Sequence, residues 1–171
     1  VPDELSPETV RRAVARGRGA TFDVPEGEAS ATAERLNEQL AGRDIRVFVS
    51  GPTTCTALQL VDAHEARRAR PELETLVADF RGLAHTLTQR SELGTLDENV
   101  WWAAPHGEHC RFENLETGVV VEAHTHVPDS VDPYFLLRFA QTTGRYPAVL
   151  DACVHGFHDM SRLLELAGSD E

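Results

Sequence analysis

The sequence predicts an α+β fold: a small antiparallel sheet, including a C-terminal β-hairpin at about 108–126, covered by several helices. Three observations carry this expectation. The chain has 171 residues, 41% hydrophobic and 26% charged, the size and composition of one globular domain spanning 1–171. Leu73, Leu76, Val77, Phe80, Leu83, Ala84 and Leu87 follow the spacing of a buried helical stripe. Two β-prone runs, Cys110–Glu113 and Val119–His126, flank the turn-forming segment Asn114–Gly118.

The remaining elements follow in order. Ser6-Pro7-Glu8 has the cap, first-turn proline and acidic residue of a helix start, and this helix ends at Gly17. Thr21–Val24 reads as a short strand stopped by Pro25. A second helix is expected from about Glu28 to Ala41, with Ala29, Ala33, Leu36 and Leu40 on one stripe and Gly42 as its stop. Ile45–Val49 reads as a strand. Ser50-Gly51-Pro52-Thr53-Thr54 then turns into a long helical region, which Pro71 divides into two helices, the second ending near Gly94. Pro128–Ser130 is loop. Asp132-Pro133 starts a helix ending at Gly144, and a last helix runs from about Pro147 to Ala167. Its apolar face carries Leu150, Cys153, Val154, Phe157, Ser161 and Leu164.

Charge and composition exclude whole classes of function. The formal net charge is −12, which repels nucleic acid and anionic membranes. All sixteen cationic side chains are arginine, so no lysine is present to form a Schiff base or hold a nucleotide phosphate. No nucleotide cofactor is indicated. Three widely spaced cysteines form no CxxC pair and suit a reducing compartment. No apolar run approaches the ~20 residues of a membrane span. Val1-Pro2-Asp3-Glu4 lacks the pattern of a secretory leader. A cytoplasmic location is the expectation.

Six of the eight histidines fall in the last 66 residues: His106, His109, His124, His126, His155 and His158. With the hairpin turn centred between Leu115 and Glu116, Glu113 pairs with Gly118, Cys110 with Val121, and His109 with Glu122. Alternation then puts Cys110, Phe112, Val119, Val121 and Ala123 on an apolar face. His109, Arg111, Glu113, Val120, Glu122, His124 and His126 share the other. Three imidazoles beside a carboxylate suit zinc or another divalent transition metal, with His109, His124 and His126 as ligands and Glu122 as a further ligand or base. The alternative is an ordinary solvated polar face. A slip of one residue would dissolve the grouping.

Other candidates have their own alternatives. His106 is placed as a general acid/base, or as a histidine bonding backbone groups around Trp102, while Gly107 suggests a bulge or close backbone approach. Cys110 is a secondary candidate for a nucleophile, although its apolar face points to packing. His155 and His158 share a face with Asp159 and Arg162, as further ligands, a proton shuttle, or the solvated side of a terminal helix. The turn Ser50–Cys55 offers helix-start N–H groups to an anion and a Cys55 thiol with a lowered pKa, or an ordinary cap at Thr53 or Thr54.

Trp102, His106-Gly107, Cys110-x-Phe112, Thr117-Gly118 and Asp132-Pro133-Tyr134-Phe135 together resemble a bacterial domain family of unknown function. Its pattern is W-x3-HG-x2-C-x-F, a TG turn, then a D-P-Y/W-F helix start. The resemblance covers about 60 residues of the C-terminal half. It is similar to domains found beside polymorphic toxins, which implies an immunity role; it carries over no catalytic residues. Two readings follow. One is a small enzyme, metal-dependent or histidine acid/base, doing hydrolytic or lyase-type work on a small-molecule substrate. The other is an acidic binding module for a basic protein partner, such as a toxin.

Overall fold

The structure, a computed structural model, describes residues 5–41, 44–127 and 130–169. The acidic start Val1–Glu4, the stop at Gly42 and the Pro128–Asp129 part of the expected loop lie outside the described residues. The fold is α+β, with its strands divided between two three-stranded antiparallel sheets. The chain falls into two compact units, residues 1–62 and 63–171.

The first unit runs α1 (Pro7–Gly17), β1 (Gly19–Asp23), α2 (Ala29–Gln39), β2 (Ile45–Gly51) and β3 (Thr54–Gln59). Ser6 caps α1 by accepting from the Thr9 N–H. The left-handed residue after α1 is Arg18, at φ 65°, and its N–H closes the helix on the Val14 carbonyl at 2.7 Å. Sheet order is β1-β3-β2, so β3 is central. Val10, Val14, Ala33, Leu36, Val47, Cys55 and Ala57 share the core of this unit. Asn37 of α2 binds both backbone groups of Val47 on β2: it accepts from the N–H at 2.8 Å and donates to the carbonyl at 3.0 Å.

Here the structure corrects the sequence. The segment after Ser50–Thr53 is strand β3, not the start of a helix. Ala57, Leu58 and Gln59 favour helix intrinsically, but pairing on both edges and alternate burial of Cys55 and Ala57 override that preference. Cys55 is fully buried and its thiol donates to the Ala29 carbonyl at 3.3 Å. Burial raises its pKa, the reverse of what a helix-start thiol would show.

The second unit begins with α3 (Ala63–Leu93), a 31-residue helix with Pro71 inside it. The division expected at Pro71 is absent. Ala66, Ala69, Leu73, Leu76, Phe80, Ala84 and Leu87 form one buried stripe running through the proline, and that burial outweighs its ~3 kcal/mol cost. Next come β4 (Trp101–His106), β5 (His109–Asn114) and β6 (Val120–His124), in that order in the sheet. β4 is an element the sequence did not disclose: Ala103, Ala104 and Pro105 are poor strand formers. It lies on the sheet's edge, where proline is tolerated.

The helices α4 (Pro133–Thr143), α5 (Pro147–Ala152) and α6 (Phe157–Ser169) complete the unit. Both α3 and α4 pack on β6, and Phe80 meets Phe139 edge-on at 5.7 Å. Glu72 of α3 accepts from the Val149 N–H at the start of α5, at 2.9 Å. The single last helix expected from Pro147 to Ala167 is two helices. Gly156, at φ 67°, breaks the chain between them, and Asp159 accepts from the His155 N–H at 2.7 Å. The break resets the helical phase. Met160 and Leu163 are buried, whereas Val154 and Phe157, placed on the expected apolar face, are exposed. Among the described residues no helix is long and apolar enough to cross a membrane.

Candidate functional site

The site grows from two tight connections. The β4–β5 link is a two-residue turn, Gly107-Glu108, closed by the His106/His109 pair. Gly107 has φ 63°, which explains a glycine there: the first central position of such a turn favours positive φ. This tight turn, not a bulge, brings the His106 and His109 rings to 5.6 Å.

The β5–β6 link is wider than the sequence suggested. Asn114 Oδ1 accepts from the Glu116 and Thr117 N–H groups, each at 2.9 Å, and the Asn114 N–H reaches the Val119 carbonyl at 2.8 Å. Four residues therefore lie in the loop, and the register moves by two. His109 pairs with His124, Cys110 with Ala123, Arg111 with Glu122, and Phe112 with Val121. A slip of two keeps every side chain on its face, so the expected division survives the corrected register. Cys110, Phe112, Val121 and Ala123 are buried, as that division requires. The opposite face is not simply solvated: Val120 and Glu122 are buried as well.

On that face each of two imidazoles meets a carboxylate. His109 Nε2 lies 3.4 Å from Glu122 Oε2, and His124 Nε2 lies 3.8 Å from Asp132 Oδ2. The Phe135 ring stands 5.3 Å from both imidazoles. Asp132 has two tasks. Its Oδ1 caps α4 through the Tyr134 and Phe135 N–H groups, leaving Oδ2 toward His124. The Nε of Arg111, across from Glu122, is buried with no acceptor among the described residues.

The histidine row is thus partly assembled. His106, His109 and His124 are neighbours, while His126 lies beyond the last paired residue of β6 and is exposed. Among the described residues, no three His, Cys, Asp or Glu side chains converge closely enough to hold a metal ion. Asp132 and Phe135 were absent from the sequence-derived candidates. Their signal was there in the cap pattern Asp132-Pro133, but nothing in spacing ties a cap on one element to a histidine on another.

The secondary candidates are elsewhere. Cys110 is on the apolar face, and burial raises its pKa despite an opposing backbone hydrogen bond from Ala104. His155 lies in the α5–α6 connection and His158 in the first turn of α6. Burial lowers the His158 pKa below its ordinary value, against the pull of Asp159. Between them, burial and then Asp159 push the Cys153 thiol up to about 12. At pH 8 it carries far less thiolate than a thiol at the ordinary value. Alkylation by iodoacetamide at that pH is expected to leave Cys153 unmodified long after a free thiol has reacted, as read by peptide mass spectrometry. Labelling at the rate of free cysteine would contradict this.

The chain matches no protein-family model, no curated protein and no solved structure.

Proposed function

We propose that this chain is a small enzyme with a histidine acid/base centre, acting on a small molecule in a hydrolytic or lyase-type reaction. The observation that supports it is the pairing of His109 with Glu122 and of His124 with Asp132 around one phenyl ring. A carboxylate beside Nε2 favours the tautomer that carries its proton there, leaving Nδ1 as the proton acceptor. One imidazole serves as base and the other as acid. Both contacts exceed hydrogen-bond length, and such pairs shorten when substrate closes the site. Arg111 offers a fixed cation for an anionic group of the substrate, and exposed His106 relays protons to solvent.

A panel of ester, amide, phosphoester and β-elimination probes tests this reading. Turnover is expected to fall at least a hundredfold in His109→Gln or His124→Gln, and by a smaller factor in His106→Gln. Turnover that survives the double His109/His124 change would sink the proposal. Elemental analysis of protein purified without a histidine tag separates the metal-dependent form of the reading. Near-stoichiometric zinc, lost in the same variants, would make His109 and His124 its ligands.

The net charge of −12 favours a second reading, an acidic module that neutralises a basic protein such as a toxin. No turnover on any probe, together with a salt-sensitive complex with a basic partner, is the outcome that would favour it over the enzyme.

A further inference from the structure

The far end of the same sheet holds a different kind of place. Five residues along β5 from His109, roughly 16 Å away at strand spacing, Asn114 lines a cavity of about 420 Å³. That volume suits a small organic ligand. Trp101, Phe139 and Tyr146 give it an aromatic wall. Asp79 and Arg145 add one charge of each sign.

Its polar groups are only partly used. Tyr146 donates to Asp79 Oδ2 at 2.6 Å, which fixes that carboxylate and leaves Oδ1 open. Arg145 is exposed and forms no hydrogen bond or ion pair with the described residues. Asn114 spends its Oδ1 on the loop N–H groups, and its amide nitrogen has no partner among the described residues. A carboxylate, a guanidinium and a free amide donor therefore remain beside three aromatic rings.

We infer that this cavity binds a small aromatic zwitterion, a free amino acid or a close analogue. Its ammonium faces Asp79, its carboxylate faces Arg145 and the Asn114 amide, and its ring packs on Trp101 and Phe139. A ligand of single charge leaves one of the two protein charges without a partner. An ammonium alone satisfies Asp79 but not Arg145; a carboxylate alone does the reverse. The inference does not depend on the acid/base reading, because the two sites share no side chain.

L-phenylalanine, 2-phenylethylamine and 3-phenylpropionate provide the zwitterion, the cation and the anion on one ring. Titration of the full chain is followed by the indole N–H signal of Trp101, assigned by its persistence in Trp102→Phe, a change at an exposed side chain. Phenylalanine is expected to bind at least tenfold tighter than either analogue, a difference of about 1.4 kcal/mol. Arg145→Gln should bring phenylalanine to the level of 2-phenylethylamine. Asp79→Asn, which keeps an acceptor for Tyr146, should bring it to that of 3-phenylpropionate. If Asp79→Asn fails to fold, the exposed Arg145 position decides alone. No shift of Trp101 with any of the three, equal affinities, or an unchanged ranking in Arg145→Gln would overturn the inference.

Discussion

Replacing Phe80 by alanine is expected to destabilise the 63–171 unit by about 3–5 kcal/mol, the range for deleting a buried aromatic side chain. Phe80 is 1% exposed in the middle of the α3 stripe, and its ring meets Phe139 of α4 edge-on. Phe139 is in turn 6.2 Å from Tyr146, so three rings lie in series. Alanine removes the burial and the ring contact, and leaves a void that α3 cannot close because Leu76 and Ala84 hold its neighbouring turns. Phe80→Leu should cost less, since most of the volume stays. Denaturant unfolding followed by far-UV circular dichroism reads both. A loss below about 1 kcal/mol for Phe80→Ala would mean that the stripe is not the core of this unit.

Asp159→Ala is the second large effect, about 2–3 kcal/mol, the worth of a hydrogen bond to a charged acceptor whose donor is left behind. Asp159 is fully buried and accepts from the His155 N–H at 2.7 Å. That bond ties the left-handed turn at Gly156 to the first turn of α6. Alanine leaves the N–H unsatisfied; Asp159→Asn keeps an acceptor and should lose roughly half as much. A second readout separates this from general loosening. Asp159 is the smaller of the two causes that raise the Cys153 pKa, burial being the larger. Asp159→Asn should therefore speed alkylation of Cys153 modestly while leaving it far slower than free cysteine. Unchanged stability in Asp159→Ala would show that the α5–α6 joint does not rely on this carboxylate.

What the sequence disclosed depended on whether the governing force was local. Ser6-Pro7 and Asp132-Pro133 mark helix starts because capping acts within one turn, and both helices begin there. The faces of β5 and β6 were legible because alternation survives a slip of two. The register itself was not, since it turned on which backbone groups the Asn114 side chain accepts from. β3 and the continuity of α3 were lost for a related reason. Helix-favouring Ala57, Leu58 and Gln59 lie in a strand, and helix-breaking Pro71 lies in a helix, because burial outweighs local preference. Of the candidate site, His106, His109, Glu122 and His124 were named from sequence. Asp132 and Phe135 were missed because only the return of α4 past β6 brings them there.

Asn37 deserves a different reading from the one its two hydrogen bonds first suggest. β2 is an edge strand, and an edge strand offers its outward backbone groups to any other extended chain. The carboxamide of Asn37 imitates a neighbouring peptide unit, occupying the donor and the acceptor of Val47 together. A second copy that tried to add a strand there would first have to displace a side chain held by its own helix. At Val47, that single amide stands where an added strand would have to bond.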